Sequence, residues 1–420
     1  MQDDHLSDVR FEQLNLDPRL LANLQTLGFG RCTPIQAKSL PLALAGRDVA
    51  GQAQTGTGKT AAFLLAILDR LLKSTAKGEP GAPRSLILAP TRELVVQIHK
   101  DAEELARNTG LKIAVVYGGT GYESQRQELS AGVDILIGTP GRLIDYLKQK
   151  VYTLRHIEVV VLDEADRMFD LGFISDIRFM LRRMPPATQR SNHLFSATLS
   201  HRVMELAYEH MNSPTRITVE AEQLTADRVR QSLIHVANDE KLKMLVGLMQ
   251  HHAPNRTLVF VNTKRTAEHV EDTLRANQFE ASTLSGDVPQ PKRLKLLEQF
   301  KSGELPVVVA TDVAARGLHI DGVTHVINYD LPQDPEDYVH RIGRTARAGA
   351  EGDAISLCCE TWVYSLPDIE RYLGARIPVM TGVDDIMPKD FVSAPRRPRD
   401  PNRAPRRGGN NGGGRQRVRR

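Results

Sequence analysis

The stretch Ala53-Gln54-Thr55-Gly56-Thr57-Gly58-Lys59-Thr60 decides how this chain is read. Ahead of it, Asp48-Val49-Ala50-Gly51 reads as the end of a strand. Behind it, Ala61 to Leu72 is an apolar run of helix formers. Strand, glycine-rich turn, Gly-Lys-Thr and helix form the context of a phosphate-binding loop. The backbone N–H groups of the turn and the start of the helix aim at one spot and favour an anion there. In such a loop Lys59 reaches the β- and γ-phosphates of a nucleotide, and the Thr60 hydroxyl sits on Mg²⁺. Ala53 stands where the strict pattern has glycine, which is acceptable if φ is negative there.

Working outward, the flanks alternate between short apolar β-branched runs and helical patterns. Strands are expected at Ser85–Ala89, Lys112–Tyr117, Asp134–Gly138, Val159–Leu162, His193–Phe195 and Thr215–Val219. Such continuous apolar runs suit strands buried on both faces, and the alternation suggests a parallel sheet covered by helices. A polar stretch, 220–230, reads as a linker. A second alternating unit over 231–380 has strand candidates at Ser232–Val236, Thr257–Val261, Ala281–Leu284, Pro306–Ala310, Val323–Asn328 and Asp353–Cys358. The remainder, 381–420, turns Pro-, Gly- and Arg-rich and is expected to be disordered.

The composition is ordinary for a globular protein: 420 residues, 41% hydrophobic and 25% charged. Cys32, Cys358 and Cys359 fit neither a disulfide framework nor a zinc spacing and suit a reducing, cytoplasmic setting. The start, Met1-Gln2-Asp3-Asp4-His5, is acidic, and the apolar run Ala61–Leu68 is too short to span a bilayer, so no membrane partner is expected. No heptads are evident, which leaves a monomer as the default. Net charge is +4, yet residues 394–420 hold ten arginines against one acid, Asp400. The body is therefore mildly acidic. The tail reads either as a nucleic-acid-binding arm or as a solvated solubility tail.

Two further places carry chemistry. Val159-Val160-Val161-Leu162 runs straight into Asp163-Glu164-Ala165-Asp166, about a hundred residues after the loop. A strand ending in acids is the expected second half of a nucleoside-triphosphatase site. There Asp163 would hold Mg²⁺, and Glu164 would orient and deprotonate the attacking water. Upstream, Gln36 offers an amide donor and acceptor side by side, matching the N6/N7 edge of adenine. The second unit has no phosphate loop of its own, so it is expected to supply groups that complete the site of the first.

In this order the motifs resemble those of a DEAD-box RNA helicase, over nearly all of residues 1–378. The resemblance implies two tandem RecA-like α/β domains, with ATP and Mg²⁺ in the cleft between them. It implies that Phe11 and Gly28 to Gln36, including Arg31, recognise adenine. The loop Ala53, Gln54, Thr55, Gly56, Thr57, Gly58, Lys59 and Thr60 takes the family's own Ala-first form. Asp312 joins the nucleotide site, and Arg344 and Arg347 reach it as arginine fingers. Single-stranded or duplex RNA is implied as the partner, with contacts from Thr91, Arg92, Gly119, Thr139, Gly141, Arg142, Gly286, Arg293 and Thr311. Asp166, Ser196, Thr198 and His340 are the implied coupling residues. A bacterial branch of the family further implies work in messenger RNA decay beside RNase E and polynucleotide phosphorylase.

Two departures stand out. His319 occupies the position where the family usually has Asp for the ribose, and Ala346 stands where the last motif usually has Gly. An arginine from the other domain can reach a γ-phosphate only when the cleft closes, so ATP would favour closure and hydrolysis would release it. Short side chains and backbone N–H groups suit phosphate and 2′-OH contacts, which carry no sequence choice. Local strand separation and an ATP-gated RNA clamp use the same residues and both stay open.

Overall fold

The computed structural model describes residues 6–53, 56–75, 79, 81–119, 121–219, 229–252, 256–315, 322–345 and 352–395. Two sheets organise them. The first contains β1 (Val49–Gln52), β2 (Ser85–Leu88), β3 (Ile113–Val116), β4 (Ile135–Gly138), β5 (Val159–Asp163), β6 (Ser191–Ser196) and β7 (Thr215–Thr218). Its order is β3-β4-β2-β5-β6-β1-β7, and every pairing is parallel. The second contains β8 (Val229–His235), β9 (Thr257–Phe260), β10 (Ala281–Leu284), β11 (Val307–Ala310), β12 (His325–Asn328) and β13 (Gly352–Cys358). Its order is β10-β11-β9-β12-β13-β8, again parallel throughout.

The apolar runs explain this arrangement. β2, β4, β5 and β6 are buried along their whole length, whereas β3 at the edge alternates. Within β5, Val159 and Val161 face one hydrophobic cluster and Val160 and Leu162 face the other. β9 divides in the same way, Val259 to one side and Leu258 and Phe260 to the other. Helices cover both faces, which is the condition for an all-parallel sheet. Each expected strand is present, with ends displaced by a few residues at most.

Neighbouring strands matter more than sequence distance. β5, β6 and β1 lie side by side, so Asp163, Ser196 and the start of the phosphate loop emerge together at the carboxyl ends of the strands. In open α/β sheets this edge is where ligands bind.

Two boundaries differ from the sequence reading. Val229 and Arg230, assigned to the linker, are already paired in β8 with Gly352 and Asp353; residues 220–228 lie outside the described set. The expected tail from 381 is packed as far as 395. Val383, Ile386, Met387 and Phe391 lie against the core of the second sheet, and Asn277 exchanges hydrogen bonds with the Val392 backbone at 2.7 and 3.1 Å. The polar and Pro-rich surroundings of those apolar residues hid them. Residues 396–420 are outside the described set.

Candidate nucleotide-binding cleft

The loop after β1 begins as an extension of the sheet, with Ala53 N donating to Ser196 O at 3.0 Å. Gly56 and Gly58 then take left-handed φ values of +86° and +88°, which only glycine adopts without strain. Lys59 and Thr60 open the helix Lys59–Lys73. A side chain at Gly58 is excluded twice, because its Cβ would also fall 2.5 Å from Gln36 Nε2. Gln54 and Thr55 lie outside the described residues.

Gln36, whose amide matches the adenine edge, is already engaged within the chain. Its Oε1 accepts from Thr33 N at 2.8 Å, closing the cap of the helix Pro34–Leu44, and its Nε2 donates to Gly58 O at 3.0 Å. The amide therefore links the upstream segment to the phosphate loop, and each of its atoms keeps capacity for one more hydrogen bond. Phe11 is 3% exposed and belongs to the hydrophobic cluster with Leu24 and Ile35, not to an open face. Arg31 is half-buried and forms a bridge with Arg10.

The centre of the cleft is electrostatically incomplete. Lys59 is buried, and its Nζ has no hydrogen-bond partner. A buried ammonium without an acceptor is costly. Asp163, also buried, is pushed up to about 7 by that burial, against the pull of the Lys59 charge and with Glu164 and Asp166 adding to the rise. A phosphate would offset the first defect and a cation the second. Glu164 has φ +53°, a strained value for a long side chain, and starts the helix Ala165–Asp170. Strain of this kind is held in place by its surroundings: Asp163 Oδ1 accepts from Glu164 N at 3.0 Å.

Asp166 is held by the end of β6. Its N–H donates to Ser196 Oγ at 3.1 Å, and its Oδ2 accepts from Thr198 N and Thr198 Oγ1 at 3.0 and 3.2 Å. From the other side, the helix Pro335–Ile342 brings His340, and Arg344 follows it with its Nε donating to His340 O at 3.2 Å. A cleft of about 520 Å³ is lined by Lys59, Glu164, Asp166 and Thr198 from the first sheet and by His340 and Arg344 from the second. Arg347, His319 and Ala346 lie outside the described residues.

Asp312, expected at the nucleotide, accepts from Arg341 with both oxygens, at 2.6 and 2.7 Å, and stays partly exposed. Among the residues implied for RNA, Thr91 caps the helix Arg92–Leu105 and Thr139 precedes Pro140–Lys148. The Arg92 guanidinium lies so close to Gly119 (φ +95°) that a Cβ there would meet it at 2.4 Å. Gly141 faces open space, and Gly286 lies beside the Lys264 ammonium. Arg142 donates to Gln125 Oε1 and Tyr146 Oη at 3.3 and 3.2 Å and lies over the Tyr122 ring. Thr311 is 8% exposed. Arg293 spans the gap between the sheets: its Nε is 2.5 Å from Glu93 Oε1, an ion pair not aligned as a hydrogen bond, and its Nη2 donates to Ala314 O at 2.6 Å. The sequence reading missed Glu93 and Arg341. Arg341 shares the buried helical face of Tyr338 and Ile342, and that spacing was the available signal.

Among the described residues no helix is long and apolar enough to cross a membrane, and no group of three or more His, Cys, Asp or Glu side chains could hold a metal alone.

Residues 33–206 match the DEAD/DEAH box helicase family, and residues 240–349 match the helicase conserved C-terminal domain. The chain belongs to the DEAD-box family of ATP-dependent RNA helicases. Within it, the chain is similar to proteins named ATP-dependent RNA helicase RhlB. The one from Idiomarina loihiensis is 56% identical over 421 residues, covering 100% of this chain and 97% of the relative. The one from Xanthomonas axonopodis pv. citri is 58% identical, covering 96% of this chain and 70% of the relative. Among solved structures, S. cerevisiae Dbp5 bound to RNA and ADP BeF3 superposes with a TM-score of 0.78 at 30% identity, covering 90% of this chain and 100% of that one. Both sheets thus belong to tandem RecA-like domains.

Proposed function

We propose that this chain is an RNA-stimulated ATPase that separates short RNA duplexes locally by closing its cleft. The observation that carries the reading is the buried, unpartnered Lys59 ammonium facing a cleft whose opposite wall brings Arg344. Lys59 binds the β- and γ-phosphates of ATP. Glu164 orients the attacking water and takes its proton. Arg344, and Arg347 beside it in sequence, meet the spread charge of the transferring phosphoryl group once the domains close.

The donor set suits Mg²⁺ bound through one carboxylate, a hydroxyl, waters and phosphate oxygens, with Asp163 and Thr60 as the protein groups. Magnesium, when bound, neutralises charge on the phosphate oxygens. Asp166, Ser196 and Thr198 carry the state of that site toward the RNA. Thr91, Arg92, Gly119, Thr139, Gly141 and Arg142 on one domain, and Gly286, Arg293 and Thr311 on the other, form the path for an RNA backbone. Bending of the strand on that path as the domains close separates a short duplex.

The similarity to RhlB helicases supports a place in bacterial messenger RNA decay, in the cytoplasm, as a monomer beside RNase E and polynucleotide phosphorylase. Co-purification of full-length protein with RNase E tests that assignment, and absence of association at micromolar concentration counts against it.

The central test is steady-state ATP hydrolysis without nucleic acid, with single-stranded RNA, and with DNA of the same sequence. Stimulation by RNA alone is expected. Equal stimulation by DNA, or none by RNA even after RNase E is added, rejects the reading.

A further inference from the structure

The segment His340–Arg347 contains one arginine without a role in the cleft. Arg341 is 1% exposed and turns away from the nucleotide site into the second domain. Its Nε and Nη2 clamp the Asp312 carboxylate at 2.6 and 2.7 Å, Nη2 also donates to Asn262 Oδ1 at 2.8 Å, and Nη1 donates to Asp330 O at 2.5 Å. Asn262, Asp312 and Asp330 follow β9, β11 and β12, which are neighbours in the sheet. One guanidinium therefore ties three strand ends to the helix that carries His340. Asp330 is fixed in turn, because its carboxylate takes the fully buried Lys241 ammonium at 2.5 Å and Asn262 N at 3.0 Å.

What Asp312 begins is the short helix Asp312–Ala315, which reaches the first domain along two routes, one direct and one through Arg293 of its own domain. Val313 O accepts from Arg167 Nη2 at 3.5 Å; Arg167 lies three residues past Glu164. Ala314 O accepts from Arg293 Nη2 at 2.6 Å, and Arg293 pairs with Glu93, the neighbour of Arg92. One contact comes from the nucleotide side and the other from the RNA side.

Resting on the function proposed above, we propose that Arg341 is a positioning residue. By fixing Asp312 and its helix to the helix of His340 and Arg344, it makes closure on the nucleotide and closure on the RNA one event. The chemistry requires arginine: a planar fork can satisfy a carboxylate bidentately and still reach Asn262 and Asp330, whereas a lysine ammonium is a single point. Buried ion pairs of this kind add little net stability and are better suited to fixing one arrangement.

The test measures how much saturating single-stranded RNA tightens binding of a nonhydrolysable ATP analogue to the full-length chain, since that ratio is the coupling between the two sites. A ratio of one in the parent protein means that the ATP–RNA reading itself fails. Given a parent ratio well above one, Arg341→Lys is expected to lower it by about tenfold, while analogue affinity without RNA stays within about twofold; the thermal midpoint falls, because buried acceptors at Asn262 and Asp330 lose their donor. If Arg341→Lys does not fold, Asn262→Ala, which removes the Oδ1 acceptor of Arg341 and the Nδ2 bond to Leu331 O but leaves the Asp312 clamp, is expected to lower the ratio by a smaller amount. A parental ratio in folded Arg341→Lys, or in Asn262→Ala where Arg341→Lys is unfolded, overturns the proposal. So does an equal loss of analogue affinity with and without RNA, the signature of a merely structural residue.

Discussion

Thr198 is bound to Asp166 twice, its N–H and its hydroxyl both donating to the same carboxylate oxygen at 3.0 and 3.2 Å. The backbone contact needs any residue but proline, whereas the other needs a hydroxyl. Thr198→Val keeps the shape and removes one donor, at a cost of about 1 kcal/mol in stability. ATP hydrolysis with RNA is expected to stay within about threefold, while release of a short duplex strand falls by about tenfold. Equal losses in both assays would mean that Thr198 serves the chemistry and not its coupling.

Lys59→Met separates binding chemistry from folding. The ammonium is buried without a hydrogen-bond partner, so its removal relieves a desolvation cost and gives up only its attraction to Asp163. The thermal midpoint without nucleotide should equal or exceed the parent's, whereas ATP hydrolysis should fall by more than about a hundredfold. Phosphate release near the parental rate would sink the assignment of this loop.

Glu164→Gln keeps the size and the left-handed backbone at φ +53° but abolishes the base. The variant should bind ATP and RNA and stall before hydrolysis, so that filter-bound RNA persists with ATP as it does with a nonhydrolysable analogue. Loss of ATP binding would instead give Glu164 a structural role.

Asp163 predicts a pH effect. Burial pushes its carboxyl up to about 7 from 3.8. Between these values the folded state holds a proton that the unfolded chain has lost, so stability of the nucleotide-free protein declines as pH rises through that window. In Asp163→Asn this contribution is absent. Thermal midpoints of parent and variant, compared from pH 5 to pH 8, should diverge in favour of the variant as pH rises; parallel curves would contradict the burial effect.

The sheets and the phosphate site were legible because they rest on local pattern. The short β-branched run Val159–Leu162 suits a strand buried on both faces, which puts the acids behind it at its carboxyl end. The loop was legible because glycine at 56 and 58 answers a backbone requirement visible in the residue type. For Gln36, Asp312 and Arg293 the sequence suggests ligands but no protein partners. Their partners, Gly58, Arg341 and Glu93, are set by how helices cross the sheet edge and how the domains approach. No spacing along the chain encodes those distances. Arg341 was hidden by its own motif, since a charged residue beside two arginines of obvious use draws no separate reading until its burial is seen.

The packing of residues 381–395 has a practical side for anyone cutting this chain. Gly247, in the helix Lys241–His252, has no room for a side chain because a Cβ would meet Ile386 O at 2.1 Å. The backbone near Ile386 thus lies flush on the helix surface, with Met387 and Phe391 beside it. A fragment ended at 380, where composition alone would place the cut, strips an apolar lid from the second domain and leaves Asn277 without its two bonds to Val392. A fragment ended after 395 keeps both, so the contribution of the arginine-rich remainder can be measured by comparing it with the full-length chain.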